Sequence, residues 1–262
     1  MTTFFERLAV RSREAGSLVC VGLDPEYNRH AASELAPYLR DIVEATAPFA
    51  ACFKPNIAFF EQYGLDGLRA LEQVLAAIPS DVPVIGDVKR GDVGNTATAY
   101  ARAMFEGWGF DAVTLSGYQG YDTVAPFLEY PGRGVYVLCR TSNPSSSEFQ
   151  ELRLENGRQL FEEVALVATA WSPNVGLVVG ATAPEELRRV RELVPAVPLL
   201  VPGVGAQGGS AEAVIEAAGG EPGRVVVNSS RGIIYAGSDA GAAAEAGRAL
   251  RDQLQEAVAA RT

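Results

Sequence analysis

A closed (β/α)8 barrel is the fold the sequence predicts, and three observations predict it. Short β-branched runs alternate with helical patterns from one end of the chain to the other, the mark of βαβ units and a parallel sheet. Eight such runs can be counted, the number a closed barrel needs. No Gly-x-Gly-x-x-Gly follows the first run, where an open, doubly wound dinucleotide fold would carry it; Gly22 alone does not qualify.

The predicted strands are Leu18–Leu23, Ala50–Lys54, Val82–Asp87, Ala112–Leu115, Gly134–Cys139, Gly176–Val179, Pro198–Val201 and Val225–Asn228. Between them lie amphipathic segments such as Glu34–Ala45, where Leu35, Leu39, Ile42 and Val43 recur at helical spacing, and Leu65–Ile78. Phe4–Glu14 adds a helix ahead of the first strand. A chain of 262 residues suits one barrel domain over 1–262, with no linker, repeat or low-complexity stretch. Pro144 and Ser145–Ser147 read as a loop after the fifth strand.

Composition removes several function classes. A net charge of −10 speaks against nucleic acid as a partner, and the largest basic cluster, Arg188, Arg189 and Arg191, reads as a solvated helix face. No apolar run is long enough to span a membrane, and the charged first 16 residues do not resemble a signal peptide, so a cytoplasmic protein is expected. Cys20, Cys52 and Cys139 lie far apart in predicted strands and read as reduced core residues. His30 is the only histidine, which disfavours histidine triads and multi-histidine metal sites.

Of the 22 basic residues only Lys54 and Lys89 are lysines. Arginine keeps its proton, whereas lysine can act as acid or base, so a lysine-poor chain that places both at strand ends marks them for chemistry. In a barrel, the C-terminal strand ends and the loops beyond them face the active site. Those positions here are Asp24, Lys54, Asp87 with Lys89, Ser116, and Thr141-Ser142-Asn143. The seventh strand is followed by Pro202-Gly203-Val204-Gly205-Ala206-Gln207-Gly208-Gly209, and the eighth by Ser229-Ser230-Arg231-Gly232.

The last two segments read as a phosphate site, with glycines for close backbone approach, amides at a helix N-terminus and Arg231 as a charged fork. If Asp87 ends its strand, the two-residue period projects Asp87 and Lys89 to one side, with Asp92 in the loop beyond. Lys54 from the adjacent strand completes an alternating array of two lysines and two carboxylates. Such an array would make Lys89 a proton donor rather than a Schiff-base nucleophile. The plainer alternatives are a surface salt-bridge network and glycines that only make turns.

These motifs resemble the orotidine 5′-phosphate decarboxylase family, specifically its longer bacterial type with a Lys-Arg-Gly-Asp variant of Asp-x-Lys-x-x-Asp. The resemblance rests on Phe53-Lys54-Pro55-Asn56, Asp87 to Asp92 with Thr96, Thr141-Ser142-Asn143-Pro144, the glycine-rich segment from Pro202, and Asn228 to Tyr235. Shorter relatives present Gly-Arg where this chain has Ser230-Arg231. The resemblance implies a cofactor-free, metal-free carboxy-lyase that converts orotidine 5′-monophosphate to UMP and carbon dioxide. It implies Lys89 as the group that protonates C6, Asp87 beside the substrate carboxylate, and Asp24 with Lys54 on the ribose hydroxyls. Ser142 would bond the pyrimidine amide, and Gln207 with Arg231 would hold the phosphate alongside Pro202 and Ser230. Asp92 and Thr96 would reach the neighbouring subunit's site in a homodimer.

Two rivals differ in kind. A phosphosugar decarboxylase of the 3-keto-gulonate 6-phosphate type shares the barrel and the motif but uses magnesium, so chelators would stop it. A non-catalytic phosphate-binding barrel would tolerate arginine at both lysine positions.

Overall fold

The protein is described here by a computed structural model covering residues 2–205 and 208–261. Eight parallel strands form one sheet: β1 (Val19–Leu23), β2 (Cys52–Pro55), β3 (Ile85–Arg90), β4 (Ala112–Leu115), β5 (Gly134–Arg140), β6 (Val175–Val179), β7 (Leu199–Pro202) and β8 (Val225–Ser229). Their order is β2-β1-β8-β7-β6-β5-β4-β3. The two ends of that order meet through parallel bridges Phe53↔Val84 and Asn56↔Asp87. The Phe53 amide donates to the Pro83 carbonyl at 3.0 Å and the Ile57 amide to that of Asp87 at 3.3 Å. The sheet therefore closes into a barrel rather than staying open.

Valine, leucine and isoleucine dominate these strands because both faces are covered. The outer face packs on helices such as Ala32–Thr46, which buries Leu35, Leu39, Ile42 and Val43, and Gly64–Ala77, which buries Ala70, Leu71 and Val74. The inner face forms a second cluster with one residue from each strand, among them Cys20, Cys52, Ile85, Ala112 and Tyr136. The helix Phe4–Glu14, closed at its start by a Thr3/Glu6 capping box, drives Phe4 and Leu8 into that cluster and seals the N-terminal end. All three cysteines are buried free thiols in β1, β2 and β5.

Two expectations need correction. The third strand does not run Val82–Asp87: Pro83 has no amide hydrogen to donate, pairing with β4 begins at Ile85, and the strand continues past Asp87 to Arg90 through a bulge. The arginine run is not a uniform solvated face. Arg191 is half-buried and donates to the carbonyls of Ala218 at 2.8 Å, Pro195 at 2.9 Å and Val197 at 2.8 Å, stitching the chain ahead of β7. Arg189 pairs with Glu162 at 2.5 Å, while Arg188 follows the expectation with an exposed i,i+3 partner, Glu185.

Candidate active site

The two-residue period of a strand sets the next inward tier. Two residues beyond Cys52, Ile85, Ala112, Leu200 and Val226 come Lys54, Asp87, Thr114, Pro202 and Asn228, and all five line one cavity at the C-terminal strand ends. Its volume is about 570 Å³, within the range of small-molecule sites. Leu138, Val178 and Leu200 give it an apolar wall.

Asp87 organises one side of this cavity. Its Oδ2 accepts from Lys54 Nζ at 3.0 Å; its Oδ1 accepts from Lys89 Nζ at 2.5 Å and from the Thr114 hydroxyl at 2.8 Å. Burial alone would raise the Asp87 carboxyl and lower the Lys54 ammonium. Opposite charges win in both cases. Lys54 and Lys89 hold Asp87 well below the usual carboxylate range, and Asp24 and Asp87 push Lys54 well above the usual ammonium range. Asp24 is in turn positioned by the Asn56 amide, which donates to its Oδ1 at 3.0 Å. The lysines differ in access: the Lys54 side chain is 4% exposed, whereas that of Lys89 is 47% exposed and faces the cavity.

The other side carries the anion-type loops. After β7, Gly203, Gly205 and Gly208 all have positive φ, and the Gly208 amide donates to the Gly205 carbonyl at 2.8 Å, so these glycines are conformationally required. Pro202, Gly203 and Val204 line the cavity, as do Ser230 and an exposed Arg231. The helix after β8 spans only Arg231–Ile234, a single turn. The helix N-terminus expected after β8 is therefore only one turn deep, and its macrodipole is small. The β1 loop is tied to this end, since the Tyr235 hydroxyl accepts from the Glu26 amide at 2.8 Å. His30 packs in a three-ring cluster with Tyr38 and Tyr235, at centroid distances of 4.3 and 5.7 Å, with the two tyrosines 6.1 Å from each other.

Ser142 enters from the β5 loop. Arg140 anchors that loop by donating to the Thr141 carbonyl at 2.8 Å and by pairing with Glu151 at 2.5 Å and Glu186 at 3.3 Å. The site then needs Gly180, because a Cβ there would come within 2.9 Å of the Ser142 side chain.

The matching family is decided by residues 17–246, which fit the model described as Orotidine 5′-phosphate decarboxylase / HUMPS family. The chain belongs to this family. The matched span of the orotidine 5′-phosphate decarboxylase / HUMPS family takes in every site residue described above, from Asp24 to Tyr235, and leaves out the N-terminal helix. The orotidine 5′-phosphate decarboxylase of Halorubrum lacusprofundi is 48% identical, covering 97% of this chain and 99% of its own. That of Haloarcula marismortui is 52% identical, covering 90% of this chain and 88% of its own. A structure of Leishmania donovani OMP decarboxylase, 41% identical, superposes with a TM-score of 0.84 over 96% of this chain and 99% of that one.

Of the array expected from the sequence, Lys54, Asp87 and Lys89 come together, but the second carboxylate beside them is Asp24 rather than Asp92; Ser142, Pro202, Ser230 and Arg231 join the same cavity. Asp92 and Thr96 do not line it; Asp92 is half-buried with its carboxylate on the Val93 amide at 2.8 Å, and Thr96 is exposed. Gln207 lies outside the described residues. Sequence reasoning passed over Thr114, although a threonine in the otherwise apolar Ala112–Leu115 was a signal once Asp87 fixed which face of the barrel points inward. Asn228, whose side-chain amide donates to the Cys20 carbonyl at 3.1 Å, falls within a motif but was given no role, and the anchoring Arg140 was passed over.

Proposed function

We propose that this enzyme decarboxylates orotidine 5′-monophosphate to UMP with Lys89 as the acid and no metal or organic cofactor. The carrying observation is the Lys89 ammonium, 2.5 Å from Asp87 and facing a cavity whose other lining includes Arg231 and the glycine-rich β7 loop. In the proposed step the C6–carboxylate bond breaks, its electron pair stays on C6 and carbon dioxide departs. Lys89 Nζ then delivers a proton to C6. Asp87, held ionised, sits beside the substrate carboxylate, a repulsive contact that is relieved as carbon dioxide leaves. The apolar wall of Leu138, Val178 and Leu200 favours neutral carbon dioxide over the carboxylate it comes from.

In this reading Asp24 and Lys54 bind the ribose hydroxyls, Ser142 bonds the pyrimidine amide, and Arg231 and Gln207 hold the phosphate with Pro202 and Ser230. The phosphate grip lies away from the bond that breaks, so its binding free energy can be used to order the loops around the pyrimidine. Asp92 and Thr96 act on the partner's site in a homodimer. Support comes from their absence from their own cavity lining and from exposed Val93 and Tyr118 in the loops alongside. Residues 1–262 serve as one barrel unit. A reducing, cytoplasmic setting fits three free cysteines, and no helix among the described residues is long and apolar enough to cross a membrane.

The deciding experiment incubates the purified protein with orotidine 5′-monophosphate and EDTA and follows loss of the orotate absorbance. Undiminished turnover in EDTA is expected; turnover that stops and returns with magnesium would overturn the metal-free reading, and no turnover of orotidine 5′-monophosphate beside magnesium-dependent decarboxylation of a 3-keto-gulonate 6-phosphate-type substrate would transfer the assignment to the phosphosugar enzyme.

A further inference from the structure

Lys89 is the only non-glycine residue among those described with a positive φ, at 45°. Side-chain-bearing residues avoid this region, and one held there needs surroundings that impose it. The cause lies in the register between β3 and β4. Between the pairs Gly86↔Val113 and Arg90↔Leu115, β3 carries Asp87, Val88 and Lys89 against the single Thr114 of β4. The bulge raises the two amides of Val88 and Lys89 out of ladder pairing, and both donate to the Thr114 hydroxyl oxygen, at 3.0 and 3.1 Å. The same hydroxyl donates to Asp87 Oδ1 at 2.8 Å.

A hydroxyl has one hydrogen and two lone pairs, so Thr114 uses its full capacity on three consecutive residues of β3. It is 1% exposed, where an unpaired hydroxyl would be costly, and β-branching suits it to a strand. We infer that Thr114 is a positioning residue for decarboxylation: its hydroxyl fixes the β3 bulge so that the Lys89 ammonium and the Asp87 carboxylate meet over the cavity. The inference rests on the reading of Lys89 as the acid. Valine would keep the shape of Thr114 but leave two amides without their acceptor and Asp87 without one donor.

The test compares Thr114→Val, Thr114→Ser, Lys89→Ala and the Thr114→Val/Lys89→Ala double variant, measuring kcat and KM for orotidine 5′-monophosphate, UMP affinity and thermal midpoint. Thr114→Val should lower kcat about 100-fold, the loss expected from roughly an ångström of misplacement, with a much smaller change in KM and in UMP affinity. Thr114→Ser should restore most of kcat. In the Lys89→Ala background, Thr114→Val should add no further loss, because the hydroxyl acts through the lysine. Wild-type kcat in Thr114→Val, no recovery with serine, or full additivity in the double variant would each overturn the role. If Thr114→Val does not fold, Thr114→Ala against Thr114→Ser provides the same comparison. Lys89→Ala separates the two ideas: near wild-type activity there removes the reading of Lys89, whereas an inactive Lys89→Ala beside a fully active Thr114→Val removes only the role of Thr114.

Discussion

Lys54 Nζ lies 3.0 Å from Asp87 Oδ2 although 33 residues separate them in the chain, and both side chains are buried at the inward face of adjoining strands. Folding alone brings these charges together, so their ionisation is coupled to stability. Asp87 is held below its usual 3.8, so it contributes stability that is present above that pH and is lost as pH falls below it. Lys54 is held above its usual 10.5, so its contribution is present below that pH and is lost as pH rises beyond it. Denaturant titrations across pH should show a plateau between these limits and a fall on each side. Lys54→Met should cost about 3–5 kcal/mol on the plateau, as expected when one partner of a buried pair is removed. An unchanged unfolding midpoint in that variant would show that the pair is not held as described.

Lys89 occupies the open side of the same carboxylate, and its removal should separate chemistry from binding. General acids contribute about 100- to 10,000-fold, so Lys89→Ala should lower decarboxylation by roughly that range. Its affinity for UMP should persist, because Arg231, Ser142 and the β7 loop stand on other elements. Stopped assays of orotidine 5′-monophosphate consumption, paired with calorimetric UMP titration, check both halves. Residual activity near that of the unaltered enzyme would reject the proton-donor role.

The barrel was legible because strand and helix periods differ so plainly, and six of the eight strands begin and end within one residue of the predicted limits. The second and third strands slipped by two and three residues. Ala50 and Ala51 precede the β2 ladder, and the β3 bulge, imposed by hydrogen bonds to Thr114, is a tertiary effect that no local pattern announces. Chemical identity at strand ends revealed Lys54, Asp87, Lys89 and Arg231, since ionisable groups at those positions have few structural reasons to exist. Arg140 escaped notice because its role is visible only once Glu151 and Glu186, distant in sequence, converge on it.

Asp92 tests the assembly. It lies in the loop beyond β3, away from its own cavity lining, and the Gly91 beside it packs against the β4 loop, where a Cβ would come within 3.0 Å of the Ser116 carbonyl. If Asp92 completes the partner's site, Lys89→Ala and Asp92→Ala chains are each inactive alone yet complementary. Mixed under conditions that permit subunit exchange, they should recover about a quarter of unaltered activity, since about half of the dimers are hybrid and each holds one intact site. Absence of recovery, with exchange verified by labelled subunits, would return Asp92 to its own chain.

Arg231 is exposed at the cavity rim after a single-turn helix, so any grip on phosphate there depends on the guanidinium more than on helix amides. Arg231→Ala should raise KM strongly and lower kcat/KM by roughly 100- to 1000-fold, equivalent to about 2.7–4 kcal/mol. The loss should extend to kcat/KM beyond simple weakening, because binding free energy from the phosphate end is what orders the loops over the pyrimidine. Uridine, which lacks the phosphate, provides the control: its affinity should be the same for Arg231→Ala as for the unaltered enzyme, while that of UMP falls. Equal losses for uridine and UMP would mean that Arg231 supports the shape of the cavity rather than holding the anion.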